Sequence, residues 1–253
     1  MFQMSLTKSI LCFFISIIIF SNCEDTQSKK NKSKVPQNTD TTSVHTPKEQ
    51  NSKVISNGIK NTTDQDTDKA PFKLSNKNLR EFMASYGKDN PENLVKITTL
   101  YGDIHIQLHT ETPLHRANFI YLVKEKYFDE TFFYRVAKGF VIQGGNSDRQ
   151  EMANARFRIG EYTIPQEPVK GLKHTRGAVA LSKQWVDNPS NRSTPFEFFI
   201  VIAKNGAPHL DGQHTIFGKV VKGMDVADKI SNVPVDGSEW PKENIFIKAE
   251  VIK

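Results

Sequence analysis

Cysteine is nearly absent: only Cys12 and Cys23 carry thiols in 253 residues. Cys12 lies inside an apolar run near the N-terminus, so a chain cleaved after that run keeps no pair to oxidise. A disulfide framework, a catalytic thiol and a cysteine-based metal site are thereby excluded for everything after Cys23. Long hydrophobic runs are missing as well. The uncharged apolar stretch Ile10 to Phe20 would span about 16 Å as a helix at ~1.5 Å per residue, about half of a bilayer core of ~30 Å. Nor is charge of one sign gathered anywhere. The 34 Lys and Arg against 28 Asp and Glu give a net +6 spread along the chain, which argues against a nucleic-acid-binding tail or face.

What is present at the N-terminus reads as an export signal. Lys8 precedes the apolar run and Ser21-Asn22-Cys23 follows it, the layout of a signal peptide rather than a membrane span. Residues 1–23 resemble a bacterial lipoprotein signal, with Cys23 where such signals place the lipidated cysteine; Phe20 and Asn22 depart from the usual box. That resemblance implies an exported protein of the cell envelope, anchored to a membrane through lipid on Cys23, with the membrane face open; an ordinary secretory signal cleaved nearby is the alternative. From Glu24 to Pro71 there are no aromatics and few aliphatics, and eight lysines nearly cancel seven acidic residues. Such a segment buries too little apolar area to offset its ordering entropy, so residues 24–71 are expected to be a disordered polar tether.

Residues 72–92 form a short extension. Leu79, Phe82, Met83 and Tyr86 recur at helical spacing, with Ser75 as the expected N-cap and Gly87 as the expected stop. From Asn93 the period changes to two. Leu94–Leu100 and Asp103–His109 alternate as a hairpin around Tyr101-Gly102-Asp103. His105 and His109 share its outward face, without a third ligand, so they read as a solvated face rather than a metal site. Thr112-Pro113 opens a helix running to Lys124, and Gly223 to Ser231 supplies another.

Between these helices lies the stretch that the rest serves. Phe133-Tyr134-Arg135-Val136-Ala137 is an aromatic and β-branched strand, Lys138-Gly139 a turn, Phe140-Val141-Ile142-Gln143 a second strand, and Gly144-Gly145-Asn146 an exit. A guanidinium in such a strand pair stays charged, so Arg135 must face a cleft or a partner. The stretch resembles the signature of the cyclophilin-type peptidyl-prolyl isomerases at Phe133, Tyr134, Arg135, Val136, Gly139, Phe140, Gln143, Gly144, Gly145 and Asn146. Later segments follow in the family's order: His174–Ser182, Phe196–Ile202 and His209–Val220. The resemblance covers residues 93–253 and implies a mainly β domain, a closed eight-stranded antiparallel barrel capped by two helices.

The family further implies isomerisation of X-Pro peptide bonds without cofactor or metal, acting as a monomer on proline-containing peptides and unfolded client proteins. A non-catalytic proline-binding or chaperone module on the same barrel is the alternative. Carried over residue by residue, Arg135 is the catalytic group. Substrate-binding positions are Gln143, Phe140, Val141, Phe199, Leu210 and His214, together with Ser182, Lys183 and Glu197 in the groove. Several depart from the family's usual residues: Val141 for a longer side chain, Glu197 for glutamine, Ser182 and Lys183 for alanine and asparagine. His209 stands where a tryptophan helps to hold the inhibitor cyclosporin, so weak cyclosporin binding is expected.

Overall fold

A computed structural model describes residues 72–184 and 187–253, which belong to one compact unit, Gln65–Lys253. The expected signal peptide, Cys23 and the polar tether lie outside the described residues. In chain order the elements are β1 (Leu74–Ser75), α1 (Leu79–Asp89), β2 (Leu94–Thr99), β3 (Gly102–Leu108), α2 (Pro113–Lys124), β4 (Phe132–Ala137), β5 (Val141–Asn146) and α3 (Gln150–Ile159). They continue as β6 (Gly160–Glu161), β7 (Ala178–Lys183), β8 (Ser193–Val201), β9 (Ile216–Lys222), α4 (Met224–Ile230) and β10 (Lys248–Val251). No helix among the described residues is long and apolar enough to cross a membrane.

Eight strands form one antiparallel sheet in the order β10-β2-β3-β9-β7-β8-β5-β4, curved into a half-barrel. The expected closed barrel is not formed. The last segment divides its hydrogen bonds between the two edges: Ile247 donates to Thr131 and Phe133 to Ile245 beside β4, whereas β10 pairs only with β2. Among the described residues one isolated bridge, Phe132 with Phe246, links the two edges, so the ladder stays open there. The inward face is packed by buried Val95, Ile97, Ile104, Ile106, Phe133, Ile142, Val179, Leu181, Phe198 and Ile200, with Phe119 of α2 in edge contact with Phe198.

Among the described residues there are four α-helices: the two expected caps, α2 and α4, the expected extension helix α1, and α3. Helix α2 is buried from Leu114 to Ile120 with no exposed face, because α1 covers the side that would otherwise meet solvent, and its buried His115, Arg116 and Asn118 are all hydrogen-bonded. Gly87 does not stop α1, which runs on to Asp89. Its role is close approach: a Cβ there would sit 3.2 Å from the Ala117 Cβ. The orphan carbonyls at the end of α1 are met by buried Arg116, which donates to Gly87, Asn90 and Glu92 oxygens. The cap position is Asn78, not Ser75; Ser75 instead donates its backbone N–H to the Asn78 side chain in the preceding turn.

Helix α3 is not among the expected elements, although Met152, Ala155 and Ile159 form its buried stripe. It ends at Gly160, whose φ of +123° suits glycine, and where a Cβ would lie 2.1 Å from the Leu74 carbonyl oxygen. That contact is the parallel pairing of β1 with β6, which ties the extension to the domain. The β2–β3 hairpin forms with Leu100 and Tyr101 as its turn, one residue earlier than expected, since Thr99 still pairs with Gly102.

Candidate active site

The β4–β5 hairpin places the charged part of the site. Arg135 lies opposite Gln143, and Gln143 opposite Phe199 of β8, so three side chains from three strands form one row across the sheet. In β4 the register shifts between Phe133 and Arg135, a bulge that sets two residues against one. Strict alternation would turn Tyr134 away from Arg135; the bulge brings both to the same cleft.

That cleft is a cavity of about 260 Å³. Val141, Phe199 and Leu210 make a buried apolar floor, and Phe140 the wall at the turn. Ser182 and Lys183 at the end of β7, Glu197 of β8, and His214 before β9 complete the rim with Arg135, Gln143 and Tyr134. The expected catalytic position and all nine expected substrate-binding positions are thus in one lining, and Tyr134 is the lining residue that sequence reasoning missed.

The polar rim is a hydrogen-bonded chain with a defined polarity. Arg135 Nη1 donates to Gln143 Oε1 at 2.6 Å, which leaves the Gln143 amide nitrogen to donate to Ser182 Oγ at 3.0 Å and to the Tyr134 hydroxyl at 3.3 Å. The Tyr134 hydroxyl donates to Glu197 Oε2 at 3.0 Å, and Glu197 Oε1 is paired with Arg156 of α3 at 3.2 Å. Burial, reinforced by the Glu197 charge, pushes the Tyr134 hydroxyl well above an ordinary tyrosine, so it is a donor at all working pH values. At the other end Arg135 Nη2 meets Glu239 Oε2 at 2.6 Å. Lys183 is drawn to Gln213 Oε1 at 3.0 Å and to Asn191, and partial burial lowers its pKa.

His214 is 8% exposed, and its Nδ1 donates to the Leu181 carbonyl at 3.0 Å. Burial, helped by Lys183 and His174 and opposed by that hydrogen bond, pulls its pKa down to about 4, so the ring is neutral near pH 7. It stands edge-on to Phe199 at 5.2 Å, and His174 stacks on the same ring at 6.1 Å. His209 lies outside the lining, stacked on Phe140 at 5.3 Å. The cavity therefore offers an apolar floor sized for a small ring and, in Arg135, a guanidinium oriented by Gln143 beside it. No group of three or more metal-ligating side chains is gathered among the described residues.

Elsewhere the chain holds a Ser-His-Glu array: Ser193 Oγ lies 2.9 Å from His115 Nε2, and His115 Nδ1 2.6 Å from Glu167. It is not a nucleophilic site. Ser193 and His115 are sealed at 1% and 0% exposure, and Glu167 is occupied in capping α2 through the Leu114 and His115 backbone N–H groups.

Residues 94–251 match the family model described as cyclophilin type peptidyl-prolyl cis-trans isomerase/CLD. The chain belongs to this family. Among cyclophilin relatives, a peptidyl-prolyl cis-trans isomerase of Acinetobacter baylyi is 37% identical over 168 residues, 63% of this chain and 85% of the relative. A peptidyl-prolyl cis-trans isomerase-like 2 of Rhizopus delemar is 38% identical over 170 residues, 66% of this chain but only 30% of that longer protein. A crystal structure of a Cryptosporidium parvum cyclophilin-type isomerase aligns with a TM-score of 0.54 at 28% identity, covering 64% of this chain and 98% of that one. The same Cryptosporidium protein has been crystallised in the presence of the dipeptide Ala-Pro. Within this cyclophilin domain four departures face the cavity: Val141 in its floor, and Glu197, Ser182 and Lys183, all three engaged in hydrogen bonds at its rim.

Proposed function

We propose that this chain accelerates cis/trans rotation of X-Pro bonds in proline-containing peptides and unfolded clients, with Arg135 as the catalytic group. The barrier to rotation is ~18–20 kcal/mol because the nitrogen lone pair is delocalised into the carbonyl. Twisting returns the lone pair to nitrogen. A donor aimed at that nitrogen binds the twisted state more strongly than the planar one, and this differential binding lowers the barrier. The pyrrolidine ring occupies the floor of Val141, Phe199 and Leu210 against Phe140. Gln143 orients Arg135, while Ser182, Lys183 and Glu197 meet the flanking peptide. Neutral His214 closes the rim; no proton transfer is required of it, and neither a cofactor nor a metal takes part.

The observation that carries this reading is a guanidinium held at the lip of an apolar cavity by Gln143 at 2.6 Å. Its test is the X-Pro isomerisation rate of the full chain and of Arg135→Ala. Removing a transition-state donor costs on the order of 10²–10³ in rate; an unchanged rate in a folded variant would sink the assignment. We further place this activity in the cell envelope, on a monomer tethered through residues 24–71 to lipid on Cys23. What supports that context is the signal-like composition of residues 1–23 and the polar composition that follows.

A further inference from the structure

The turn between Pro234 and Lys242 lies along the outer edge of β4. It is tightly built: Val235 bridges Pro241, and the Asp236 carboxylate accepts from the backbone N–H groups of Ser238 and Trp240 at 2.8 and 3.0 Å. It is fastened to the site at two points. Val136 donates its backbone N–H to the Glu239 carbonyl at 2.8 Å, and the Trp240 ring packs against Tyr134 at 5.8 Å. The Glu239 carboxylate thus starts from a fixed point beside Arg135 and reaches its Nη2 at 2.6 Å. Glu239 also has a φ of +65°, left-handed backbone that disfavours a side chain, although Gly237 is available two residues earlier in the same turn. A strained residue kept beside a reactive group points to a role there.

We propose that Glu239 is a positioning residue of the isomerase site, acting through Arg135. This rests on the reading of Arg135 as the donor to the prolyl nitrogen. Gln143 alone would hold one corner of the guanidinium and let its plane swing. With Nη1 on Gln143 and Nη2 on Glu239 the plane is set, and the remaining N–H groups are left for the cavity. Arg135 and Glu239 are 37% and 44% exposed, so the pair contributes little to folding stability; its effect is on orientation. Were the carboxylate acting only as a counter-charge, it would weaken the pull of Arg135 on the prolyl nitrogen, and removing it would speed the reaction.

The test uses the full chain as wild type, Glu239→Gly and Glu239→Gln, alone and with Arg135→Ala. Glycine suits the left-handed backbone, so Glu239→Gly should melt no lower than wild type while losing the carboxylate. The expected result is a fall in kcat of about three- to fivefold, the scale of an exposed ion pair, with KM within about twofold. Glu239→Gln should fall in between, and Glu239→Gly should add nothing in the Arg135→Ala background. The Arg135 Nη resonances in ¹⁵N NMR should show faster guanidinium rotation in Glu239→Gly. A kcat unchanged or raised, an equal loss in the Arg135→Ala background, or unaltered Nη resonances would each overturn the proposal while leaving Arg135 catalytic. An Arg135→Ala rate equal to wild type would instead overturn the reading beneath it, and the proposal with it.

Discussion

The buried, neutral His214 makes acid stability a sharp probe of the site. In the unfolded chain this histidine takes up its proton near an ordinary pKa of ~6.5, but in the folded protein only near about 4. Between those values the unfolded state binds more protons, so folding stability falls as pH falls through that window. At ~1.36 kcal/mol per tenfold change in proton affinity, the full loss is about 3 kcal/mol by pH 4. Other groups titrate nearby: His174 and His115 are themselves lowered by burial, whereas Asp211, which burial would raise but His174 and Lys173 hold low, loses its stabilisation only below this window. The His214→Gln variant separates the contribution, since its amide can still donate to the Leu181 carbonyl. In urea unfolding at several pH values from 7 to 4, wild type should lose more stability than His214→Gln, by about 3 kcal/mol at the acid end. Parallel pH profiles would refute the reasoning, and so would a wild type that gains on the variant as pH falls.

Two further outcomes are expected. The His209 ring stacked on Phe140 replaces the large indole on which cyclosporin binding leans in the family, so inhibition of isomerisation should be weak, and His209→Trp should strengthen it; nanomolar inhibition of wild type would contradict this. Mass spectrometry of the mature chain from a bacterial envelope should find acylated Cys23 as its first residue; an unmodified start further downstream would exclude the lipid anchor.

How far the sequence discloses this protein depends on the range of the signal. β4, the β2–β3 pair and α2 follow from local period, turn chemistry and Pro113, and they appear within a residue of expectation, whereas β5 runs on through Gly144-Gly145-Asn146, where an exit from the strand was expected. The lining of the cavity follows from motif positions rather than from period, because Phe199 and Leu210 are indistinguishable from core until β8 is laid beside β5. Tyr134 was hidden by a bulge, which breaks the alternation that sequence reasoning assumes. Helix α3 carried a legible stripe in Met152, Ala155 and Ile159, but on a segment too polar to announce it. Glu239 had no signal at all: its partner lies more than a hundred residues away, and its backbone conformation belongs to a turn fixed by tertiary contacts. The open barrel is of the same kind, since it depends on how residues 245–251 share their hydrogen bonds between two edges.

The departure at Glu197 gains a physical reason from the polarity of the rim. Arg135 can only donate, so Gln143 must present its oxygen there and its amide nitrogen elsewhere. That nitrogen needs acceptors, and the Tyr134 hydroxyl is one of them, which forces the tyrosine proton outward. A carboxylate at 197 accepts that proton's hydrogen bond on one oxygen and Arg156 on the other. An amide there has a single oxygen for two donors, and its own nitrogen would face the Arg156 guanidinium. Glu197 is therefore matched to Tyr134 and to α3 together, and its carboxylate fixes the direction of every hydrogen bond back to Arg135. Under the proposed function, a peptide entering beside Glu197 would meet a charge already committed to two partners rather than a free anion.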